Sequence, residues 1–151
     1  MGSVRMQKFY RTTLAMTENA TLQLLDLAVS NAQEAGFEAA IAIVDRSGTL
    51  QAFVRMQGAF LVSSELAQKK AITAVGMSAE TIELEALLES AEPRVRDGLT
   101  KTADFTLVGG GVPLYINEVL VGGVGVSGGS EEQDQYCAKA VADRCEKLSS
   151  L

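Results

Sequence analysis

The sequence predicts an α+β domain in which helices flank an antiparallel sheet of five strands. Apolar residues at helical spacing alternate with short apolar runs, and those runs come in neighbouring groups separated only by turn residues. Strands joined this tightly form hairpins, whereas a parallel sheet needs a long crossover after each strand. We therefore expect the order helix, two strands, two helices, three strands, helix.

The first part of the chain is predicted to form a helix and a hairpin. Thr17 has the chemistry of an N-cap, and the apolar spacing that follows it ends at Gly36. Short apolar runs predict strands over 40–44 and 50–54. We interpret Asp45, which opens the connection between them, as an Asx-type turn residue.

The middle of the chain is predicted to hold two helices and a loop. A helix is expected over 63–76 with Ser63 or Ser64 as its cap, and its small inner residues indicate close packing. Ser78 is expected to cap a second, short helix. The polar segment 89–102 is expected to be irregular and is the candidate for a mobile flap.

More than half of the 14 glycines lie in the last third of the chain, around a predicted hairpin. The strands of this part are predicted over 105–108, 113–116 and 119–127. Asn117 and Glu118 are expected to form the hairpin turn. Ser130 and Gln133 have the capping-box spacing that starts the terminal helix.

In a hairpin that turns at residues 117 and 118, the numbers of facing residues sum to about 235. Gly110 is therefore expected to face Gly125, and Gly111 to face Val124. The two glycine clusters would then form one surface without side chains. Such a surface has room for a ligand or for another chain, and we favour a pocket near a subunit contact.

Composition excludes several classes of function. The net charge of −6 argues against binding to nucleic acid or to an anionic membrane, and no uninterrupted apolar run is long enough to span a bilayer. We expect a cytoplasmic protein with an N-terminal arm over 1–15, part of it preceding a native start at Met6, and one domain over 16–151. The chain has no histidine, which excludes histidine bases and histidine metal ligands. Cys137 and Cys145 are expected to be reduced and buried.

The chain contains a set of motifs spread from its first predicted hairpin to its last helix. They are Val44-Asp45-x-x-Gly48, Arg55-Met56, Lys70-Ala71-x-Thr73-Ala74, Gly110-Gly111-Val112-Pro113-Leu114 and Gly125-Val126-Ser127-Gly128-Gly129 with Asp134. Together these motifs resemble the GlcG/HbpS family, which includes the C-terminal domain of PduO-type proteins of corrinoid metabolism. The resemblance covers about residues 16–148.

The resemblance implies a profilin-like domain in a closed homo-oligomer, often an octamer, with haem or cobalamin as candidate cofactors. This sequence departs from the family pattern at Gln57, at Ile72 and at the Asn117-Glu118 turn. Because Glu118 is a poor residue for a positive φ, we expect a turn type other than that of the family's Asp-Gly. The lack of histidine also removes the usual axial ligand of haem iron.

The candidate ligand-binding residues are two side chains and two glycine loops. Arg55 at a strand end can clamp a carboxylate, or it can form an ion pair at the sheet edge. Lys70 is either a ligand-facing ammonium or a solvated side chain. The amides of Gly109, Gly110 and Gly111 and of Gly128 and Gly129 can approach a ligand, or the loops can serve close packing and a tight turn into the helix.

Two classes of function, beside a purely structural ring, remain open from the sequence. The first is a ligand-binding accessory protein without catalytic residues or a metal site. The second is a small-molecule enzyme, such as an isomerase, lyase or hydrolase, for which Arg55, Lys70 and Asp45 are the polar groups that would have to converge.

Overall fold

A computed structural model describes residues 8–148, and it confirms an α+β fold with an antiparallel sheet flanked by helices. Residues 1–7 of the predicted arm and residues 149–151 lie outside the described part. The helices are α1 (Glu18–Glu34), α2 (Leu61–Met77), α3 (Leu84–Glu89), α4 (Pro93–Thr100) and α5 (Glu131–Leu148), with a 3-10 turn over Thr81–Glu83. The strands are β1 (Ala40–Asp45), β2 (Leu50–Arg55), β3 (Gly111–Ile116) and β4 (Val119–Ser127).

The sheet is the middle of three layers. Its strand order is β2-β1-β4-β3, and each neighbouring pair is antiparallel. Helices α1 and α5 cover one face, against which Ile41 and Ile43 of β1 point. Helix α2 covers the other face and packs on Ala40 and Ala42 of the same strand. Strand β1 is therefore buried on both faces, which explains its continuous apolar sequence.

The sheet has four strands among the described residues, so the expected fifth strand over 105–108 is wrong. The amides of this segment bond to hydroxyls and to a nearby carbonyl, and not to a neighbouring strand. The Thr106 amide donates to Thr73 Oγ1 at 3.0 Å, the Val108 amide to Thr106 Oγ1 at 3.2 Å, and the Phe105 amide to the Thr102 carbonyl at 3.2 Å. These acceptors, one of them on the distant Thr73, replace the ladder that a strand would need.

Helix α2 begins earlier than expected, with Phe60 as a cap residue that makes no side-chain cap bond. Neither Ser63 nor Ser64 caps it, because both lie within the first turns of a helix that starts at Leu61. Ser78 is not the start of the next helix but the left-handed end of α2, where its φ is 50°.

The segment 89–102 is not an irregular connection, since it contains helix α4. Pro93 occupies the first turn of α4, where its fixed φ favours a helix start and its missing N–H is not needed. The proline therefore marks a helix start and not a break in regular structure.

Three predicted caps and turns are confirmed. Thr17 Oγ1 accepts from the Ala20 amide at 3.2 Å at the start of α1. The Ser130 and Gln133 pair forms the reciprocal bonds of a capping box, at 3.1 and 2.9 Å. Asp45 Oδ1 accepts from two backbone amides of its own turn, at 2.9 and 3.0 Å.

The prediction for the β3–β4 turn is wrong. Asn117 and Glu118 both have positive φ, 49° and 66°, which is the left-handed pair of a type I′ turn. The twist of the two strands imposes this turn, and Glu118 adopts a conformation that costs roughly 1–2 kcal/mol for a residue with a Cβ.

Candidate functional site

Lys70, on the inner face of helix α2, forms a buried ion pair. Its side chain is fully buried, and its ammonium lies 3.1 Å from Asp134 Oδ2 on α5. The same ammonium donates to the Val126 carbonyl of β4 at 2.8 Å. Lys70 is thus neither a solvated side chain nor a ligand-facing one within this chain.

Burial and the opposite charge have opposing effects on the pKa of each member of the pair. Burial lowers the pKa of the Lys70 ammonium, and the Asp134 carboxylate offsets part of that effect. Burial likewise raises the pKa of the Asp134 carboxyl, with Lys70 opposing the shift. Each charge is therefore tolerated because the other is present.

Sequence reasoning missed this pair, although a signal was present. Lys70 lies at helical spacing from Ala67, Ala71 and Ala74, which form the inner face of α2. A charged residue on an apolar stripe requires a buried partner of opposite charge. The identity of that partner is not evident from the sequence, because Asp134 lies 64 residues away.

The Gly128-Gly129 loop is held by the same carboxylate. The Gly129 amide donates to Asp134 Oδ1 at 2.9 Å, and the Gly128 amide reaches Oδ2 at 3.4 Å. Gly128 has a φ of 151°, in the region that favours glycine. Asp134 therefore joins Lys70 of α2, the end of β4 and the start of α5.

The Gly109–Gly111 loop also directs its amides into the chain. Side chains of α5 and of the 3-10 turn accept all three N–H groups. The contacts are Gly109 to Glu131 at 2.9 Å, Gly110 to Gln135 at 3.1 Å and Gly111 to Thr81 at 2.9 Å. An external ligand would have to displace these acceptors to bind the amides.

The two glycine clusters are neighbours, as expected, but in a different register. Gly111 pairs with Gly125, because a register shift at Leu114 and Tyr115 changes the sum of facing numbers from 235 to 236. The expected pairing of Gly110 with Gly125 is therefore wrong.

The paired glycines are covered within the chain. A Cβ on Gly111 or Gly125 would overlap the backbone of α2, at the carbonyls of Lys70 and Ala67 respectively. The glycines therefore bring α2 close to the sheet, and the small residues of α2 face them. These small residues therefore serve the close packing of α2 that the sequence indicates, and they face the sheet and not a neighbouring subunit.

Arg55 lies elsewhere, at the end of the edge strand β2, and is exposed. Its Nη1 donates to the Ala59 carbonyl at 2.8 Å, which joins the guanidinium to the loop before α2. The next three residues, Phe60, Leu61 and Val62, are between 68% and 78% exposed. We call these three residues the apolar patch, and such an exposed run is typical of a binding surface.

The three polar residues of the enzyme hypothesis do not converge. Arg55 pairs with Ala40 at one end of β1, and Asp45 lies at the other end. Five residues of strand separate those ends by about 16 Å. Lys70 is buried on the inner face of α2, away from Arg55 and Asp45 at the two strand ends.

Five cavities of the described chain measure between about 220 and 550 Å³, and neither Arg55 nor the apolar patch lines any of these five. The smallest lies between α2 and α4, and apolar side chains line most of it, including Ile72, Met77, Leu99 and Phe105. The apolar patch beside Arg55 is therefore a surface to be covered and not a finished pocket.

Residues 8–148 contain no group of three or more Cys, Asp and Glu side chains that could hold a metal ion. Met56, the residue after Arg55, already accepts from the Ala39 amide through its sulfur at 3.3 Å. Burial raises the pKa of Cys137 to about 12 and that of Cys145 to about 11, so neither thiol is a ready ligand.

In residues 8–148, no helix is long and apolar enough to cross a membrane.

The fold and the motifs define a family. Residues 16–143 match the family described as haem degrading protein HbpS-like. The chain belongs to this HbpS-like family, so the resemblance to GlcG and HbpS is confirmed.

Individual relatives are similar over most of the chain. The corrinoid adenosyltransferase PduO of Salmonella typhimurium is 40% identical over 130 residues, 85% of this chain and 38% of that protein. This chain spans about two fifths of the length of the PduO proteins that it matches.

Two crystal structures show the same fold. ORFY of Klebsiella pneumoniae has a TM-score of 0.85 at 29% identity, with 95% of this chain and 98% of that chain covered. A complex named PduOC:Heme has a TM-score of 0.78 at 38% identity, with 86% and 94% covered.

Proposed function

We propose that this chain is a ligand-binding accessory protein that holds haem or a related carboxylated tetrapyrrole in a homo-oligomer. The observation that carries the proposal is the 38% identity to a domain crystallised with haem, over 86% of this chain. The family description also names haem, and the PduO relatives are named for corrinoids, a second class of tetrapyrrole. We propose that residues 16–151 act as one domain in this role.

We place the ligand on the apolar patch beside Arg55. A tetrapyrrole is a flat, largely apolar ring with carboxylates at its edge. Phe60 and Leu61 are exposed enough to pack on the ring, and Arg55 can pair with a carboxylate. Gly58 belongs to the loop between Arg55 and the apolar patch, and the Glu38 carboxylate lies against it. The negative charge of Glu38 therefore repels a carboxylated ligand at this loop.

A neighbouring copy is proposed to complete the site. A surface patch leaves one face of a ring in water, whereas binding sites bury 70–90% or more of a ligand. A second copy over the patch would cover that face, and the resemblance implies a closed assembly such as an octamer. Lys70 and the glycine loops are proposed to support this arrangement through their network and not to touch the ligand.

The test is an absorption titration of the purified protein with haem and, separately, with cobalamin. We expect haem to bind and its main absorption band to shift. Arg55→Ala is expected to weaken binding by about tenfold, because a charge-assisted contact to the ligand is lost. Glu38→Gln is expected to retain or increase affinity, since it removes a like charge.

Matched controls separate this site from general damage. Arg94→Ala removes an arginine that is 82% exposed on α4. Leu61→Ser removes an apolar side chain of the patch and is expected to weaken haem binding, and Leu22→Ser makes the same change at an exposed leucine of α1. We expect Arg94→Ala and Leu22→Ser to bind haem like the parent protein. Absence of binding by both tetrapyrroles, or equal losses in the control variants, would contradict the proposal.

A further inference from the structure

The N-terminal arm of the described chain, residues 8–15, carries apolar side chains that its own fold does not bury. Phe9 is fully exposed and Tyr10 is 77% exposed, and the arm has no regular secondary structure. Its root is fixed where Arg46 Nη1 donates to Thr13 Oγ1 at 3.2 Å. The segment precedes the residues that match the family, which begin at residue 16.

The charge of the arm is opposite to that of the chain. Lys8 and Arg11 flank the two aromatic residues, while the whole chain has a net charge of −6. The arm is therefore a short basic and aromatic peptide attached to an acidic domain. A surface that offers both apolar side chains and carboxylates is suited to bind such a peptide.

One such surface lies on α3 and the 3-10 turn before it. Leu87 is 58% exposed and Ile82 is 41% exposed. Glu83 lies one helical turn before Leu87, and Glu89 is the last residue of α3. Both are exposed, and in residues 8–148 neither forms an ion pair. Glu85 is already 3.7 Å from Arg96. We call Ile82, Glu83, Leu87 and Glu89 the acidic patch.

We infer that the arm of one copy docks on the acidic patch of a second copy of this chain. Phe9 and Tyr10 would cover Leu87 and Ile82, with Lys8 and Arg11 beside Glu83 and Glu89. We infer a two-fold, reciprocal exchange, in which the arm of each copy lies on the patch of the other.

The area is sufficient for a specific contact. Two aromatic side chains bury about 300–500 Å² together. A reciprocal exchange doubles that figure, and the two receptor patches contribute a similar area. The total reaches the range of about 1,200–2,000 Å² found in stable interfaces.

The test is disulfide trapping between two differently labelled chains. One carries Phe9→Cys and the other carries Leu87→Cys, and the mixed sample is oxidised under native conditions. We expect a cross-linked heterodimer on a denaturing gel. Cys137 and Cys145 are buried and do not compete. Phe9→Cys mixed with Leu22→Cys, at an exposed leucine of α1, is the matched control and is expected to give no heterodimer.

A charge swap tests the recognition. With the trapping cysteines in place, Lys8→Glu with Arg11→Glu is expected to lower the yield by about tenfold, as like charges then meet. Adding Glu83→Lys with Glu89→Lys to the patch chain is expected to restore it. No cross-link at Leu87, an equal cross-link at Leu22, or a charge reversal that the swap does not rescue would each overturn the inference.

Discussion

Replacing either member of the Lys70–Asp134 pair should destabilise the fold, and the two replacements should differ. Removing one partner of a buried ion pair generally costs about 3–5 kcal/mol. Asp134→Ala leaves the buried Lys70 ammonium with the Val126 carbonyl as its remaining partner. It also removes the acceptor of the Gly129 amide, so we expect a loss of about 5 kcal/mol.

Lys70→Met should be milder, at about 3 kcal/mol. Its apolar side chain retains most of the packing, and Asp134 still accepts from the Gly129 amide at 2.9 Å. The lone carboxyl can also bind a proton, because burial already raises its pKa. A carboxyl whose pKa is higher in the folded state than in the unfolded state stabilises the fold when it is protonated. The loss of unfolding free energy in Lys70→Met, relative to the parent protein, should therefore shrink as pH falls from about 7 to about 5.

The assay is urea unfolding of the parent and both variants, with the free energy of unfolding compared at each pH. A small domain has about 5–15 kcal/mol in total, so both changes are readily measured. Equal losses for the two variants, or losses below about 1 kcal/mol, would refute the role assigned to the pair.

Three further outcomes are expected from the fold. Gly125→Ala should cost about 3 kcal/mol because its Cβ overlaps the α2 backbone, while Gly98→Ala, with no atom within 4 Å of a new Cβ, should be tolerated; chemical unfolding midpoints check both. Glu118→Gly should raise the melting temperature, since relief of roughly 1–2 kcal/mol at a φ of 66° exceeds the roughly 0.4–1 kcal/mol that a glycine costs through the unfolded chain. Cys137 and Cys145 should resist a thiol reagent at about pH 8 until the protein unfolds, and rapid labelling of the native state would contradict their raised pKa values.

Local signals in the sequence were sufficient for much of the fold. The cap at Thr17, the capping box at Ser130 and the Asx turn at Asp45 depend on neighbouring residues, and all three are confirmed. The segment 105–108 was mistaken for a strand because its apolar pattern does not reveal the distant Thr73 hydroxyl that binds its backbone. The profilin-like character of the arrangement stays a prediction.

The candidate site was less accessible to sequence reasoning. The glycine clusters were correctly expected to meet, but nothing local indicates that α2 covers them. Lys70 and Asp134 are 64 residues apart, so their pairing depends on the tertiary fold. Arg55 stays a predicted ligand residue, and its surface position is compatible with that role.

The central claim is that the chain recognises the ring and carboxylates of a tetrapyrrole, with no iron ligand at the patch. The most direct measurement is the affinity for haem compared with that for iron-free protoporphyrin, by fluorescence quenching and absorption at equal pH and salt. We predict that the two affinities lie within about threefold of each other, which is less than the tenfold that 1.4 kcal/mol represents. Arg55→Ala should weaken the binding of haem and of protoporphyrin to a similar extent. Tight binding of haem together with no binding of protoporphyrin would contradict the account.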